Sequence, residues 1–139
     1  MTKEQKELLK RDLCSRLDTN LVCSIYRVDD FGVGWRSETL SGYCKGDIWD
    51  EFYFGDDCGI GIDNVSKIKP YLFPLSSMTE EQNKELDQAI ELELKAINGE
   101  IDHIQATAFE VDFYNKHHFD WRGLIPLGLA NDATNLNIY

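Results

Sequence analysis

The apolar positions of this chain follow a helical period first, then a strand period, then a helical one again. Leu9, Leu13 and Leu17 recur every four residues with Leu8 beside them, and Thr2 and Gln5 have the T-x-x-Q form of a capping box. This spacing predicts an amphipathic N-terminal helix over "MTKEQKELLKRDLCSRL" with a basic outer face. The period then shortens. "LVCSIYRV" (21–28) is rich in β-branched and aromatic residues and is followed by the turn chemistry of "DDFG". "VGWRSETL" (33–40) sets Val33, Trp35, Ser37 and Thr39 against Gly34, Arg36, Glu38 and Leu40, the alternation of a half-buried antiparallel strand paired with the one before it.

"IWDEFYF" (48–54) places Ile48, Phe52 and Phe54 on one face, and "GDDCG" closes it before the short "IGID", so a meander of three or four strands is expected. Lys69 and Phe73 precede prolines and are biased to extended backbone, which predicts an extended arm laying Tyr71, Leu72, Phe73 and Leu75 on the core. Thr79 and Gln82 repeat the capping box, and Leu86, Ile90, Leu94 and Ile97 then run down one face of a helix that ends near Gly99. A last helix, from Thr107 to His118, is marked by Phe109 and Phe113 with Ala108 and Val111 beside them. The expected fold is one α+β domain over residues 1–139: an N-terminal helix, an antiparallel sheet of three or four strands, and two C-terminal helices packed on one face.

At 139 residues, with 42% hydrophobic and 12% aromatic content, the chain is long and apolar enough to bury a core without staples. Its net charge of -11 is uneven: residues 1–16 carry five basic and three acidic groups, 17–64 three and ten, 65–139 six and twelve. Such acidity argues against direct binding of nucleic acid or anionic membranes, both of which require clustered Lys and Arg. No basic segment followed by an apolar one opens the chain, and no apolar run has the length of a membrane span, so a cytoplasmic location is expected.

Cys14, Cys23, Cys44 and Cys58 contain no C-x-x-C pair and read as free thiols, Cys14 and Cys23 half buried. Asp47, Asp50, Glu51, Asp56 and Asp57 lack the alternating ligands, central glycine and closing glutamate of a calcium loop, and read as a solvated sheet rim. His103, Glu110 and His117 fall on one helical face. Seven residues of helix rise about 10.5 Å, whereas ligands of one zinc lie within about 4 Å of each other. No structural metal and no cofactor are expected. The motifs of the nucleophile elbow, the Walker loop and the dinucleotide fold do not occur.

The stretch "YNKHHFDWRGLIPLGLA" (114–130) concentrates what chemistry there is. One reading is a helix end: Lys116, His117 and His118 suit the negative end of the macrodipole, Asp120 caps the next turn, Gly123 allows the bend, and Leu124, Ile125, Leu127 and Leu129 dock the tail. The other is recognition, with Trp121, Arg122 and His118 as candidate binding residues, because tryptophan and arginine are enriched at binding hot spots. For Trp121 and Arg122 the alternative is a clamp, in which the indole enters the core and the guanidinium pairs with a carboxylate such as Asp120.

"KPYLFPLSSMTEEQ" (69–82), "HHFDWRGLIPLGLANDA" (117–133) and the opening "MTKEQKELLKRDLCSRL" together resemble a family of small uncharacterised proteins of gut Bacteroidetes and of their phages and mobile elements. The resemblance brings no activity, cofactor or catalytic residue with it. It implies a fixed frame whose middle, from Asn20 to Ile68, is where a partner would be met. The expected function is a non-enzymatic interaction module of a phage or mobile element that binds a protein or a small ligand. Two alternatives stand beside it: a small enzyme using His117 or His118 as general base, and an acidic nucleic-acid mimic that blocks a host protein.

Overall fold

Both capping boxes form. Thr2 Oγ1 accepts from the Gln5 amide at 3.2 Å while the Thr2 amide donates to Gln5 Oε1 at 2.9 Å, opening α1 (Lys3–Ser15). Thr79 and Gln82 make the same reciprocal pair and open α2 (Glu80–Ile97). The computed structural model describes residues 1–29, 32–46, 50–55, 58–100 and 109–139. Asp30 and Phe31 of the first turn, Asp47, Ile48, Asp56, Asp57, His103, Thr107 and Ala108 lie outside the described residues.

Between the helices the chain is an antiparallel meander of β1 (Val22–Asp29), β2 (Gly32–Lys45), β3 (Asp50–Phe54) and β4 (Cys58–Gly61). β1 and β2 pair along their whole shared length, from Val22 opposite Thr39 to Asp29 opposite Gly32. The register shifts between Leu40 and Gly42, where β2 passes from β1 to β3, and such a bulge bends and twists the strand that carries it.

The sheet has six strands in the order β4-β3-β2-β1-β5-β6. The two beyond the meander come from segments with little strand signal. β5 (Ile68–Leu72) is the predicted extended arm, which pairs antiparallel with β1 over Cys23, Ser24 and Ile25 and places Pro70 opposite Cys23. β6 (Asn131–Asp132) is a two-residue parallel addition in the tail. The architecture is α+β.

Side-chain alternation decides what the sheet covers. Cys23, Ile25, Leu40, Phe52, Phe54, Ile60, Ile68 and Leu72 point to one face, where Leu9 and Leu13 of α1 and Leu124 and Leu129 of the tail close over them. Asp50 lies on this side too, bonded to Lys10 of α1 at 3.0 Å and to the Tyr43 hydroxyl at 2.7 Å. Cys23 is fully buried, deeper than expected, whereas Leu75 and Leu127 stay exposed.

The last helix, α3 (Phe109–Lys116), packs against α2. The row expected to be buried on α2 is not: Leu94 is 54% and Ile97 67% exposed. Leu86 and Ala89 are half buried, Ala96 is the buried residue of the helix, and Ala89 and Leu92 line a groove with Phe109 and Phe113. Among the described residues no helix is long and apolar enough to cross a membrane.

Candidate functional site

The chain leaves α3 through a left-handed residue that is not glycine. His118 has φ of 56°, its amide donates to the Asn115 carbonyl at 3.1 Å, and the Phe119 amide reaches back to the Tyr114 carbonyl at 2.8 Å. This pair of bonds is the Schellman arrangement, and it turns residues 118–120 sharply onto the sheet. There the Phe73 amide donates to the His118 carbonyl at 2.9 Å, and the Asp120 amide to the Phe73 carbonyl at 2.8 Å. Asp120 then caps the next turn with both oxygens, accepting from Leu124 at 2.7 Å and Ile125 at 2.8 Å. Gly123 supplies the bend with φ of 72°.

Beneath this turn lies a buried ion pair. Arg16 is fully buried and donates through Nε and Nη2 to the two oxygens of Asp12, at 2.9 and 3.1 Å, and through Nη2 to the Phe119 carbonyl at 2.7 Å. Arg122 approaches the same carboxylate, with Nε 3.4 Å from Asp12 Oδ1, and its guanidinium carbon lies 3.9 Å over the Trp121 ring. Trp121 Nε1 donates to Asn115 Oδ1 at 3.1 Å, and Asn115 Nδ2 donates to the Ser15 carbonyl at 2.9 Å. The carboxylate that Arg122 meets is therefore on α1, while Asp120 is occupied with backbone. Trp121 and Arg122 sit where α1, α3 and the tail converge, each half buried.

His118 is buried, with the Tyr139 ring stacked on it at 4.0 Å and 12°. Burial, with the charges of Arg16 and His117 adding, pulls its pKa down to about 4, so the imidazole is neutral at pH 7. The Tyr139 hydroxyl donates to the Tyr71 carbonyl at 2.7 Å and accepts from the Val22 amide at 3.3 Å, fastening this cover to the sheet. His117 points away, its Nε2 2.9 Å from Glu85 of α2, a carboxylate that Lys116 also holds at 2.7 Å. The adjacent histidines thus serve two different interfaces and do not converge on one point. Among the described residues no group of three or more His, Cys, Asp or Glu side chains is arranged to hold a metal ion.

On the opposite face of the sheet Ser24 is buried, but among the described residues the end of the β1–β2 ladder towards its turn carries exposed apolar side chains. Val22, Ser24, Tyr26 and Val28 of β1 stand opposite Thr39, Ser37, Trp35 and Val33 of β2. Val28, Val33 and Trp35 are 70%, 66% and 50% exposed. Tyr26 meets Trp35 edge to face at 5.5 Å, Lys69 Nζ stands 5.9 Å over the Trp35 ring, and the hydroxyls of Ser37 and Tyr71 are 3.3 Å apart. The alternation of residues 33–40 already held this surface, since its Val33 and Trp35 share parity with Ser37 and Thr39. The buried Asp12–Arg16 pair also had a signal that a basic outer face conceals. Leu9, Asp12, Leu13 and Arg16 are spaced three, one and three, a single helical stripe.

Compared with protein-family models, with curated proteins and with solved structures, the chain matches none.

Proposed function

We propose that this chain is a non-enzymatic interaction module of a phage or mobile element, acting in the cytosol, and that it binds a host protein through the exposed patch of its sheet. The observation that carries the reading is the exposure of Val28, Val33 and Trp35 side by side on one face of the sheet. Apolar side chains in a contiguous exposed patch stay wet at a cost that a partner removes, and tryptophan and tyrosine supply large contact area for few rotatable bonds. The free thiols of Cys14, Cys23 and Cys44 suit a reducing compartment. The stretch after α3, with His118, Trp121 and Arg122, holds α1, the sheet and the tail together, and this reading assigns contact with a partner to the strands of the middle.

The test is Trp35→Ser measured for stability and for partner capture from host lysate. A surface tryptophan on this face is expected to cost less than about 1 kcal/mol in a urea melt. The captured protein is expected to be lost with it. Capture that survives Trp35→Ser and Val28→Ser together, with melting unchanged, rejects this face as the contact surface.

A further inference from the structure

The edge strand β4 and the end of the interior strand β1 line one cavity. β1 continues to Asp29, yet its pairing with β5 stops at Ile25 opposite Ile68. At one end of the order, β4 pairs with β3 alone among the described residues. The unpaired side of β1 and β4 meet at one cavity of about 240 Å3, lined by residues 26–28 and 59–61 with Asn64 and Lys67. Unpaired strand edges with their main-chain groups free are templates for another strand.

The described lining of this cavity holds two cations, Arg27 and Lys67, and no carboxylate. The chain carries -11, but Lys67 at the cavity has no carboxylate in ion-pair reach among the described residues, and neither has Lys69, which stands over Trp35 outside it. Arg27 is paired with Glu38, while its buried Nε has no acceptor among the described residues. Tyr26 joins this space to the exposed patch, because it lines the cavity and packs on Trp35.

We propose that the cavity beside β1 takes an extended acidic segment of a partner protein, which adds as a strand along residues 26–28 and sets a carboxylate against Lys67. Strand addition draws affinity from main-chain hydrogen bonds and selectivity from alternate side chains. Here one set of side chains lies on the patch of Tyr26 and Val28 and the carboxylates meet the cations. The inference rests on the reading of the chain as a protein-binding module and adds the chemistry of the bound segment.

The probes are short fluorescein-labelled peptides that alternate valine with glutamate, lysine or serine, read by anisotropy and by amide hydrogen exchange. The glutamate form binds the full chain, weakens as salt rises, and slows exchange at the Tyr26 and Val28 amides; the lysine form does not bind. Lys67→Glu abolishes binding, whereas Lys84→Glu, the same charge change on the exposed side of α2, leaves it. Equal binding of the lysine form, unchanged exchange at those two amides, equal loss from both charge variants, or no binding by any peptide overturns the proposal. A host protein captured through Trp35 and indifferent to Lys67→Glu keeps the interaction reading and removes the acidic strand.

Discussion

Arg16 donates to the carbonyl of Phe119 at 2.7 Å across 103 positions of the chain, and with the same nitrogen holds Asp12. One guanidinium thereby joins the first helix to the turn that follows the last. Arg16→Met is expected to destabilise the fold by about 3 to 5 kcal/mol, because it strands a buried carboxylate. Adding Asp12→Leu should return much of that loss, since an apolar pair removes the uncompensated charge as well as the bond. Urea melts of the single and double variants check it, and a double variant no more stable than the single one contradicts the assignment.

Arg122 is a second, weaker hold on the same carboxylate. Its side chain is 22% exposed, and its guanidinium carbon stands 3.9 Å over the Trp121 ring. Arg122→Ala is expected to cost about 2 kcal/mol through the lost pair and the lost stack together. Arg122→Lys should recover less than half of it, because an ammonium keeps the charge without the plane. Full recovery by lysine in the same melts would leave charge alone as the cause.

His118 predicts a dependence on acidity. Its folded pKa is pulled down to about 4 from an ordinary value of 6.5, so the unfolded chain binds the proton more tightly. Its contribution is fully present above pH 6.5 and is lost as pH falls from there towards 4. The size is roughly 2 to 4 kcal/mol at about 1.4 kcal/mol per unit. His118→Asn tolerates the left-handed backbone and carries no titrating ring. The stability difference between parent and variant should therefore shrink across that window, and a difference that stays constant from pH 7 to 4 refutes the account.

What sequence reasoning recovered is what is local. The capping boxes, the β1–β2 hairpin, the Asp120 cap and the bend at Gly123 are each written within a few residues, and each formed. β5 and β6 were not legible as strands, since a three-residue pairing that includes a proline and a two-residue pairing are shaped by what lies beside them. The α2 row misled because Leu86, Ile90, Leu94 and Ile97 state a period without stating which side a neighbour takes. Asp12 and Arg16 were legible as charges and not as buried ones, because only the arrival of Phe119 from the far end of the chain covers them.

β2 runs for 14 residues without a break and pairs with β1 through its first part and with β3 through its second. A strand shared in this way makes the two parts of the sheet mechanically one body. Load applied at β3 passes along a single backbone to β1 without crossing a loop, and fraying that starts at the Leu40–Gly42 irregularity loosens the anchorage of both parts together. The bulge that bends β2 is thus also the joint through which the halves of the sheet share one melting event.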